Sequence, residues 1–306
     1  MPPVNTGNFS KAMLPGIYEW FGIDYKEFPK YTEKMFDVVK SEKLYEEIVG
    51  AVGLGLMKEK GEGAGIVYDY TQQGVINRVY NKTWALGVQF TQEVLEDNQY
   101  SQLAILGKDA GRYLAKAAGK TQETLSGNFY VNMFTTTHAD GVYQISASHP
   151  MVKGGTFSNT PSVAADLSEV ALEQAIIDIR RLTDDAGTRI NLMAKSIVIP
   201  PELEFELGRI LESVLQSDSA NNNLNVLKAN GAFPGGFTVN PYLTSAKQWF
   251  IRTDIQEGKG LVCFDRVSPE TMEDNSFDTG NLKVKCRFRR SYLLADPRAV
   301  YASPGA

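Results

Sequence analysis

The stretch that decides the fold runs from Asp166 to Ser213 and reads DLSEVALEQAIIDIRRLTDDAGTRINLMAKSIVIPPELEFELGRILES. An N-cap oxygen from Asp166 or Ser168 precedes apolar residues at the three-and-four spacing of one buried helical face. We therefore predict a helix that ends at Gly187. Its inward residues are Leu172, Ala175, Ile176, Ile179 and Leu182.

The rest of this stretch predicts a strand and a second helix. Residues 196–199 are apolar and end at Pro200, which lacks the amide that a strand or helix interior needs. Pro201 suits the first turn of the helix that follows, whose inward positions are Leu203, Leu207, Ile210, Leu211 and Val214. Val170 and Ile177 lie on the opposite side of the first helix, so we expect both of its faces to be covered. The stretch contains no nucleophile or metal cluster.

The composition is that of a soluble globular protein. The chain has 306 residues, of which 43% are hydrophobic and 22% charged, and these values exclude collagen-like and disordered classes. The net charge of −5 argues against a protein that coats nucleic acid, because neutralising phosphates requires a positive surface. Cys263 and Cys286 are too few for a disulfide framework and indicate a reducing compartment. No signal-peptide pattern or membrane-spanning apolar run is present, so no membrane partner is expected.

Two regions before the opening stretch are difficult to explain in an isolated subunit. Residues 1 to about 45 combine prolines with many aromatic residues, which predicts an arm lying on another surface; the alternative is a first helix and loop of the core. Residues 51–57 and 66–70 alternate in hydrophobicity around a glycine-rich turn at 58–65. They predict a long β-hairpin, which is marginal alone and requires a partner surface.

The remaining pattern predicts one long helix and several strands. Residues 84–90 form a period-two run that leads into a helix from about Thr91 or Asp97 to Ala118, with Gly119 as its C-cap. The helix stripe expected to face inward is Leu103, Leu106, Ala110, Tyr113, Leu114 and Ala117. Short strands and turns are predicted over 128–150, and further strands at Trp249–Arg252 and Leu261–Phe264.

The clearest strand lies near the carboxyl terminus. One side carries Leu282, Val284, Cys286 and Phe288, and the other carries Lys283, Lys285, Arg287 and Arg289. This alternation is typical of a strand with one buried face. We interpret the basic side as a solvated or salt-bridged face, with contact to phosphates as the minority alternative.

No catalytic, cofactor-binding or metal-binding residue is predicted. The string Gly119 to Thr121 matches the tail of a phosphate-binding loop, but the earlier glycine of that motif is Leu114 here and a helix precedes it. His138 and His149, the only histidines, lie in a polar loop without partners at zinc-ligand spacing, so we expect both to be solvated. We also expect no cofactor.

Five strings carry a resemblance to a known family. The chain resembles the major capsid proteins of tailed bacteriophages, in particular the Mu-like major head subunits. The strings are YDYTQQGVINRVYNKTWALGVQFTQEVLED from Tyr68, TTTHADGVYQISASHP from Thr135, ADLSEVALEQAIIDIRRLTDDAG from Ala165, IVIPPELEFELGRIL from Ile197, and FDTGNLKVK with DPRAVYASPGA from residue 277 onward.

The resemblance implies an α+β protein with the Johnson fold, also called the Hong Kong ninety-seven type. It implies an N-terminal arm, an extended β-hairpin loop, a peripheral domain built on a spine helix, and an axial domain. Carried over by position, these are 1–46 for the arm, 47–83 for the extended loop, 84–161 for the peripheral domain with the spine helix at about 91–119, 162–275 for the axial domain, and 276–306 for the strand that returns to the peripheral domain and for the C-terminus.

The same resemblance implies a structural, non-enzymatic protein of the virion capsid, assembled in the host bacterial cytoplasm. Its expected partners are copies of itself in hexamers and pentamers, a scaffolding protein, a portal, decoration proteins, and packaged DNA held without sequence-specific contact. No long acidic helical leader precedes the arm, so we expect separate scaffolding or prior processing. Two alternatives remain: a nanocompartment shell of the same fold around protein cargo, and a soluble α/β enzyme, for instance a nucleotide hydrolase.

We expect contacts between subunits in the arm, the hairpin and an asparagine-rich loop. These segments have the composition of exposed or partner-dependent chain rather than of core. The candidate contact residues are Phe9, Trp20, Phe21, Lys58, Lys60, Tyr68, Tyr70, Asn221, Asn222 and Asn223.

Overall fold

Two four-stranded sheets and one long helix make up the framework of the protein. A computed structural model describes Glu19 and residues 21–63, 65–93, 102–213, 224–276 and 278–306, with side chains from residue 109 onward in the helix that begins at Gln102. The helices are α1 (21–27), α2 (Thr32–Met35), α3 (Gln102–Val131), α4 (Glu169–Arg181), α5 (Glu204–Glu212) and α6 (Val226–Ala229). The strands are β1 (Asp37–Lys40), β2 (Tyr45–Val52), β3 (Gln72–Tyr80), β4 (Lys82–Phe90), β5 (His149–Pro150), β6 (Thr156–Phe157), β7 (Ala194–Ile199), β8 (Phe237–Val239), β9 (Trp249–Thr253), β10 (Leu261–Asn275), β11 (Leu282–Leu294) and β12 (Val300–Ser303).

The first sheet has the strand order β1-β10-β11-β4. β11 runs antiparallel to both of its neighbours, and β1 pairs with β10 in parallel. The predicted alternation of β11 is confirmed, since its apolar side is buried and its basic side is exposed or half-buried. Leu282, Val284 and Cys286 pack against Leu114 and Ala118 of α3.

The second sheet, β12-β9-β7-β8, contains the strand of the opening stretch. Its two faces are both buried, as the continuous apolar run of β7 requires. Ile197 and Ile199 face α4 and α5, whereas Val198 faces the end of α3. The predicted order of helix, strand and helix is therefore confirmed, although Val214, the last predicted inward position, lies outside the described residues.

The N-terminus of α4 is confirmed, and its predicted end is wrong. The Ser168 hydroxyl accepts a hydrogen bond from the Ala171 amide at 3.2 Å, as an N-cap does. The helix ends at Arg181, well before Gly187. Gly187, with φ of 80°, belongs to the turn in which its amide donates to the Asp184 carbonyl.

Helix α3 connects the two sheets and extends beyond its predicted end. It continues through Gly119 to Val131, so Gly119 is not a C-cap and the stretch after Asn128 begins in helix. Gly119 is needed for close approach instead, because a Cβ there would lie 2.7 Å from the Phe28 ring. The predicted inward stripe is also wrong at Tyr113, which is 67% exposed.

The predicted arm is partly core. Met35 and Phe36 are fully buried beside Tyr130 of α3, and β1 is a strand of the first sheet. Met35 and Phe36 therefore fit the alternative interpretation, in which this segment belongs to the core, although β1 is a strand and not a loop. Phe9 and Trp20 lie outside the described residues.

The predicted hairpin forms, but with different strand limits. β2 pairs with β3 from Tyr45 opposite Tyr80 to Val52 opposite Gln72. Residues 53–57 and 66–70, predicted as strands, are not paired in a ladder. A hydrogen bond from the Gly55 amide to the Asp69 carboxylate joins the two arms there instead.

Sheet pairing also differs from the predicted domain limits in two places. β10 lies within the 162–275 range but pairs with β1 and β11 in the first sheet. β12 lies within the 276–306 range but pairs with β9 in the second sheet. The chain therefore crosses between the sheets between Leu294 and Val300.

Substituting Gly127 of α3 by alanine should destabilise the subunit. The added Cβ would lie 2.6 Å from the carbonyl oxygen of Tyr242, and a backbone atom cannot move away cheaply. We expect a loss of about 1–3 kcal/mol in the free energy of unfolding, measured by urea denaturation.

Gly208 of α5 provides the matched control. It also lies inside a helix, but no atom lies within 4 Å of the position that a Cβ would take there. Gly208→Ala should be neutral or stabilising by up to about 1 kcal/mol through helix propensity. Equal stabilities for the two variants would contradict the close approach assigned to Gly127.

Candidate assembly surface

The hairpin is held to the body of the subunit by two buried asparagines. The side-chain amide of Asn77 donates to the Ala295 carbonyl at 2.7 Å. Asn81 donates to the Ser41 hydroxyl at 2.8 Å and accepts from the Ser291 hydroxyl at 2.9 Å. Because buried amides are costly to leave without partners, these bonds fix the base of the hairpin on the first sheet. Sequence reasoning missed both residues, since nothing local marks an asparagine whose partners are distant in the chain.

The opposite face of the hairpin points outward and carries three facing cross-strand pairs. Tyr45 lies opposite Tyr80 with ring centroids 5.7 Å apart, and Val49 lies opposite Ile76. Between them Arg78 donates through Nε to Glu47 at 2.6 Å, and its guanidinium lies 4.7 Å from the Tyr45 ring centroid. Such pairs stabilise a two-stranded ribbon but leave its outer surface uncovered.

The distal loop of the hairpin, residues 53–71, is the most exposed apolar part of the described chain. Met57 is fully exposed and Tyr68 is 86% exposed. Exposed large apolar residues concentrated in one loop are typical of an interaction site, whereas single scattered ones are not. The exposed large apolar residues are Leu54, Leu56, Met57, Ile66, Val67, Tyr68 and Tyr70.

The predicted contact residues are not all alike in the structure. Lys58, Lys60, Tyr68 and Tyr70 are exposed in the distal loop. Phe21, in contrast, is 7% exposed and packs within its own chain against α3 and β11, so little of it is left for a neighbour. Phe9, Trp20 and Asn221, Asn222 and Asn223 lie outside the described residues.

A second exposed apolar surface lies on the helices of the second sheet. Val170 and Ile177 of α4 are 72% and 42% exposed, so the prediction that both faces of this helix are covered is wrong within one subunit. Phe205, in the first turn of α5, is also exposed. No other element in the described part of the chain covers these three side chains.

The basic side of β11 is partly neutralised by its neighbour β10. Arg287 donates to Glu270 at 2.7 Å, and Lys283 lies directly opposite Asp274 in the ladder. Lys285 and Arg289 face uncharged residues of β10. The salt-bridged interpretation therefore fits this face better than a site for phosphates.

The two histidines are buried, which contradicts the expectation that they are solvated. His149 Nδ1 lies 2.6 Å from one carboxylate oxygen of Asp140, and His138 Nδ1 lies 3.3 Å from the other. His138 Nε2 contacts the Leu294 carbonyl at 3.2 Å, which ties this cluster to the crossing between the sheets. The polar composition of the loop was misleading, because polar groups that satisfy one another can be buried.

Burial and mutual contact shift the pKa values in this cluster. Burial lowers the pKa of His138, although the Asp140 carboxylate opposes that effect. Burial alone would raise the pKa of Asp140, but hydrogen bonds from His149 and the Val142 amide and the charges of both imidazoles together lower it. Within the described residues, no group of three or more histidine, cysteine and acidic side chains is arranged to hold a metal ion.

The phosphate-loop string and the two cysteines have structural rather than chemical roles. Gly119, Lys120 and Thr121 lie inside α3, where the Thr121 hydroxyl donates to the Ala117 carbonyl at 2.7 Å, so they form no phosphate-binding loop. Burial raises the pKa of Cys263 to about 12 and that of Cys286 to about 11, which makes both poor nucleophiles. Among the described helices, none has the length and apolarity to cross a membrane.

Comparison with known proteins agrees with the resemblance seen in the sequence. The family described as phage capsid protein matches residues 79–303, which is more than half of the chain. No curated protein matches the sequence.

Solved structures of three particles are similar to this chain. The procapsid of bacteriophage JBD30 matches with a TM-score of 0.53 at 13% identity, over 96% of this chain and 74% of that one. The capsid of Myoviridae phage XM1 matches with a TM-score of 0.51 at 12% identity, over 89% and 90% of the two chains. The virus-like particle from Pyrococcus furiosus gives 0.51 at 11% identity, over 94% and 98%. At such low identities these matches show the fold alone, and the fold they show is the predicted Hong Kong ninety-seven type.

Acidification should destabilise the subunit from about pH 6.5 downward. His138 has a folded pKa below its ordinary value of 6.5, so the unfolded chain takes up a proton that the folded chain resists. The stabilising contribution is present above pH 6.5 and is lost as pH falls through that window. A further loss follows at lower pH, where Asp140 is protonated. Urea unfolding between about pH 8 and pH 5 measures the first effect.

His138→Gln is the control, because its amide keeps a donor for the Leu294 carbonyl and does not titrate. We expect a shallower decline in unfolding free energy between about pH 7 and pH 5 than in the unmodified chain. Identical pH dependence in the two proteins would show that His138 does not contribute.

Proposed function

The chain belongs to the phage capsid protein family, and on that premise we propose that its copies form the hexamers and pentamers of an icosahedral shell around double-stranded DNA. It is a structural protein of the virion capsid rather than an enzyme. The observation that carries the proposal is the anchored hairpin with its exposed apolar distal loop. A subunit with that feature is incomplete until another surface covers it.

The occupant that we propose for the distal loop is a second copy of the chain. The outward face of α4 and α5 is a further candidate for contact between copies, because it too is apolar and uncovered. Contacts repeated by symmetry hold a closed particle together even when each one is weak. We propose the predicted limits of the arm, the hairpin loop and the two domains as a working division, amended by the burial of Met35 and Phe36 and by the strand pairing of β1, β10 and β12.

The finer identity and the further partners are also proposals. The strings at Thr135–Pro150 and Asp296–Ala306 support a Mu-like major head subunit. We propose a scaffolding protein, a portal and decoration proteins as partners, and assembly in the host bacterial cytoplasm. The acidic net charge of −5 supports a wall that encloses DNA without gripping it.

The two alternatives are less well supported. A nanocompartment shell shares the fold, but the matching family is that of phage capsid proteins. A nucleotide hydrolase has no support from the string at Gly119, since that string is helical.

Negative-stain electron microscopy with sedimentation of the purified chain tests the proposal. We expect closed particles, or capsomer-sized oligomers that close when scaffold is supplied. Only monomers or dimers under all these conditions would count against a shell protein.

Deleting residues 58–65 from the hairpin tip should leave a folded subunit that assembles poorly. The deletion removes exposed turn residues and leaves the ladder from Tyr45–Tyr80 to Val52–Gln72 intact. Circular dichroism and urea unfolding should match the unmodified chain, whereas particle yield by sedimentation should fall about tenfold or more, since many repeated contacts are weakened together. Unchanged particle yield and stability would refute the role assigned to the hairpin.

A further inference from the structure

The distal loop of the hairpin is held in place although its ladder has ended. Beyond the last pair, Val52 opposite Gln72, the described residues of the loop, 53–63 and 65–71, have no strand pairing. A loop of this length with no internal ladder has many accessible conformations. All but the docked conformation are lost when the loop binds a partner, and this loss costs free energy. What limits these conformations is a side-chain clasp.

The clasp is formed by Asp69 and Lys153. The Asp69 carboxylate accepts from the Gly55 amide at 2.7 Å and from the Tyr70 amide at 2.9 Å. Lys153 Nζ donates to both oxygens of that carboxylate at 3.1 Å, and to the Gly53 carbonyl at 3.3 Å. One ammonium group therefore contacts both arms of the hairpin just past the end of the ladder. The Gly55 amide, which has no ladder partner, is satisfied by Asp69 instead.

Lys153 is itself on a rigid support. The Met151 amide donates to the Gly155 carbonyl at 3.0 Å, and the Gly154 amide donates to the Met151 carbonyl at 3.0 Å. Gly154 and Gly155 have φ of 98° and 92°, values that a tight turn needs and that favour glycine. Met151 packs on the apolar core beneath the second sheet. The clasp therefore connects the hairpin to the core of its own subunit and not only to another loop.

Charge and exposure support a role in orientation rather than in overall stability. Hydrogen bonds from the Gly55 amide, then from Lys153 and the Tyr70 amide, lower the pKa of Asp69 to about 2, so this carboxylate stays ionised at any pH relevant to assembly. The Lys153 and Asp69 side chains are 21% and 40% exposed. Ion pairs with such exposure add little to folding stability. The same ion pair nevertheless limits the number of conformations that the distal loop can adopt before it docks.

We propose that Lys153 is a positioning residue for assembly: with Asp69 it orders the distal loop in the direction from which it docks on a second copy. This inference rests on the proposed shell function. The exposed residues beyond the clasp, Leu56, Met57 and Tyr68 among them, are the surface that it presents. Ordering the loop in the free subunit removes part of the entropy cost of docking, which is preorganisation.

The test compares Lys153→Met, which keeps an unbranched side chain of similar length, with Lys153→Arg, which keeps the charge. In Lys153→Met we expect the critical concentration for particle formation to rise about fivefold or more, because the loop must then be ordered at docking. Amide hydrogen exchange over 53–57 and 66–71 of the free subunit should become faster. The midpoint of urea unfolding should stay within error of the unmodified chain. Lys153→Arg should restore most of the assembly.

Lys30→Met is the matched control. Lys30 also has a carboxylate partner, Glu33 at 3.1 Å, and a tyrosine ring, Tyr25, with its centroid 5.8 Å away. The corresponding values for Lys153 are 3.1 Å to Asp69 and 5.6 Å to the Tyr70 ring. Lys30 lies between Phe21 and Met35, which are both buried within their own subunit, so this part of the predicted arm is not free to reach a neighbour. Because the partners of Lys30 also belong to this segment and not to the hairpin, its loss should leave the critical concentration unchanged.

The outcomes separate this inference from the shell proposal. If the unmodified chain forms no particles even with scaffold, the shell proposal is wrong, and the positioning role of Lys153 in assembly is wrong with it. If it does, and Lys153→Met assembles equally well or faster despite faster exchange in the loop, the positioning role is overturned. An equal rise in critical concentration for Lys30→Met would also overturn it, because the effect would then follow from loss of any surface lysine.

Discussion

The architecture depends on one helix whose successive turns must be buried against two different sheets. The middle of α3 packs on the first sheet through Leu114 and Ala118. Its C-terminal end packs behind the second sheet, where Tyr130 is fully buried and its hydroxyl donates to the Met35 carbonyl at 2.8 Å. A straight helix of 30 residues is about 45 Å long, so its middle and its C-terminal end can pack on different sheets. Gly127 is one point at which another part of the chain approaches its backbone.

The packing of α3 against both sheets determines which apolar residues the subunit can bury by itself. The helix and the inner faces of the two sheets satisfy one another, and α4 and α5 cover the remaining face of the second sheet. Nothing in the described chain is left to cover the outer face of the hairpin or the outer face of α4. Both faces remain apolar, with Val49, Tyr80 and Val170 exposed. Since the family is one of shell proteins, we propose that neighbouring copies bury these exposed apolar residues.

Sequence reasoning succeeded where the signal is local and failed where it is not. The helix after Ser168 and the strand that Pro200 ends are each specified within a few residues, and both are confirmed. The hairpin was predicted, but its limits were not, because the Asp69 side chain takes the place of ladder pairing. The burial of His138 and His149 was missed for a similar reason. The contacts of these histidines with Leu294 and Asp140 form only in the folded chain. The spacing of residues in the sequence therefore does not predict the buried cluster.

The distribution of rigid and exposed parts follows from what a closed shell requires. Each subunit meets several neighbours at once, so an individual contact must be weak enough to be corrected during assembly while the sum holds the particle closed. A hairpin fixed at its base by buried Asn77 and Asn81, and steadied beyond its ladder by an exposed ion pair, meets both conditions. Moving the base would leave buried amides without hydrogen-bond partners, which costs free energy. The ion pair that holds the distal loop is partly exposed to solvent and is easier to break. In the docking that we propose, the core sets the direction from which the hairpin approaches a neighbour, and the exposed apolar residues of the loop set the strength of the contact.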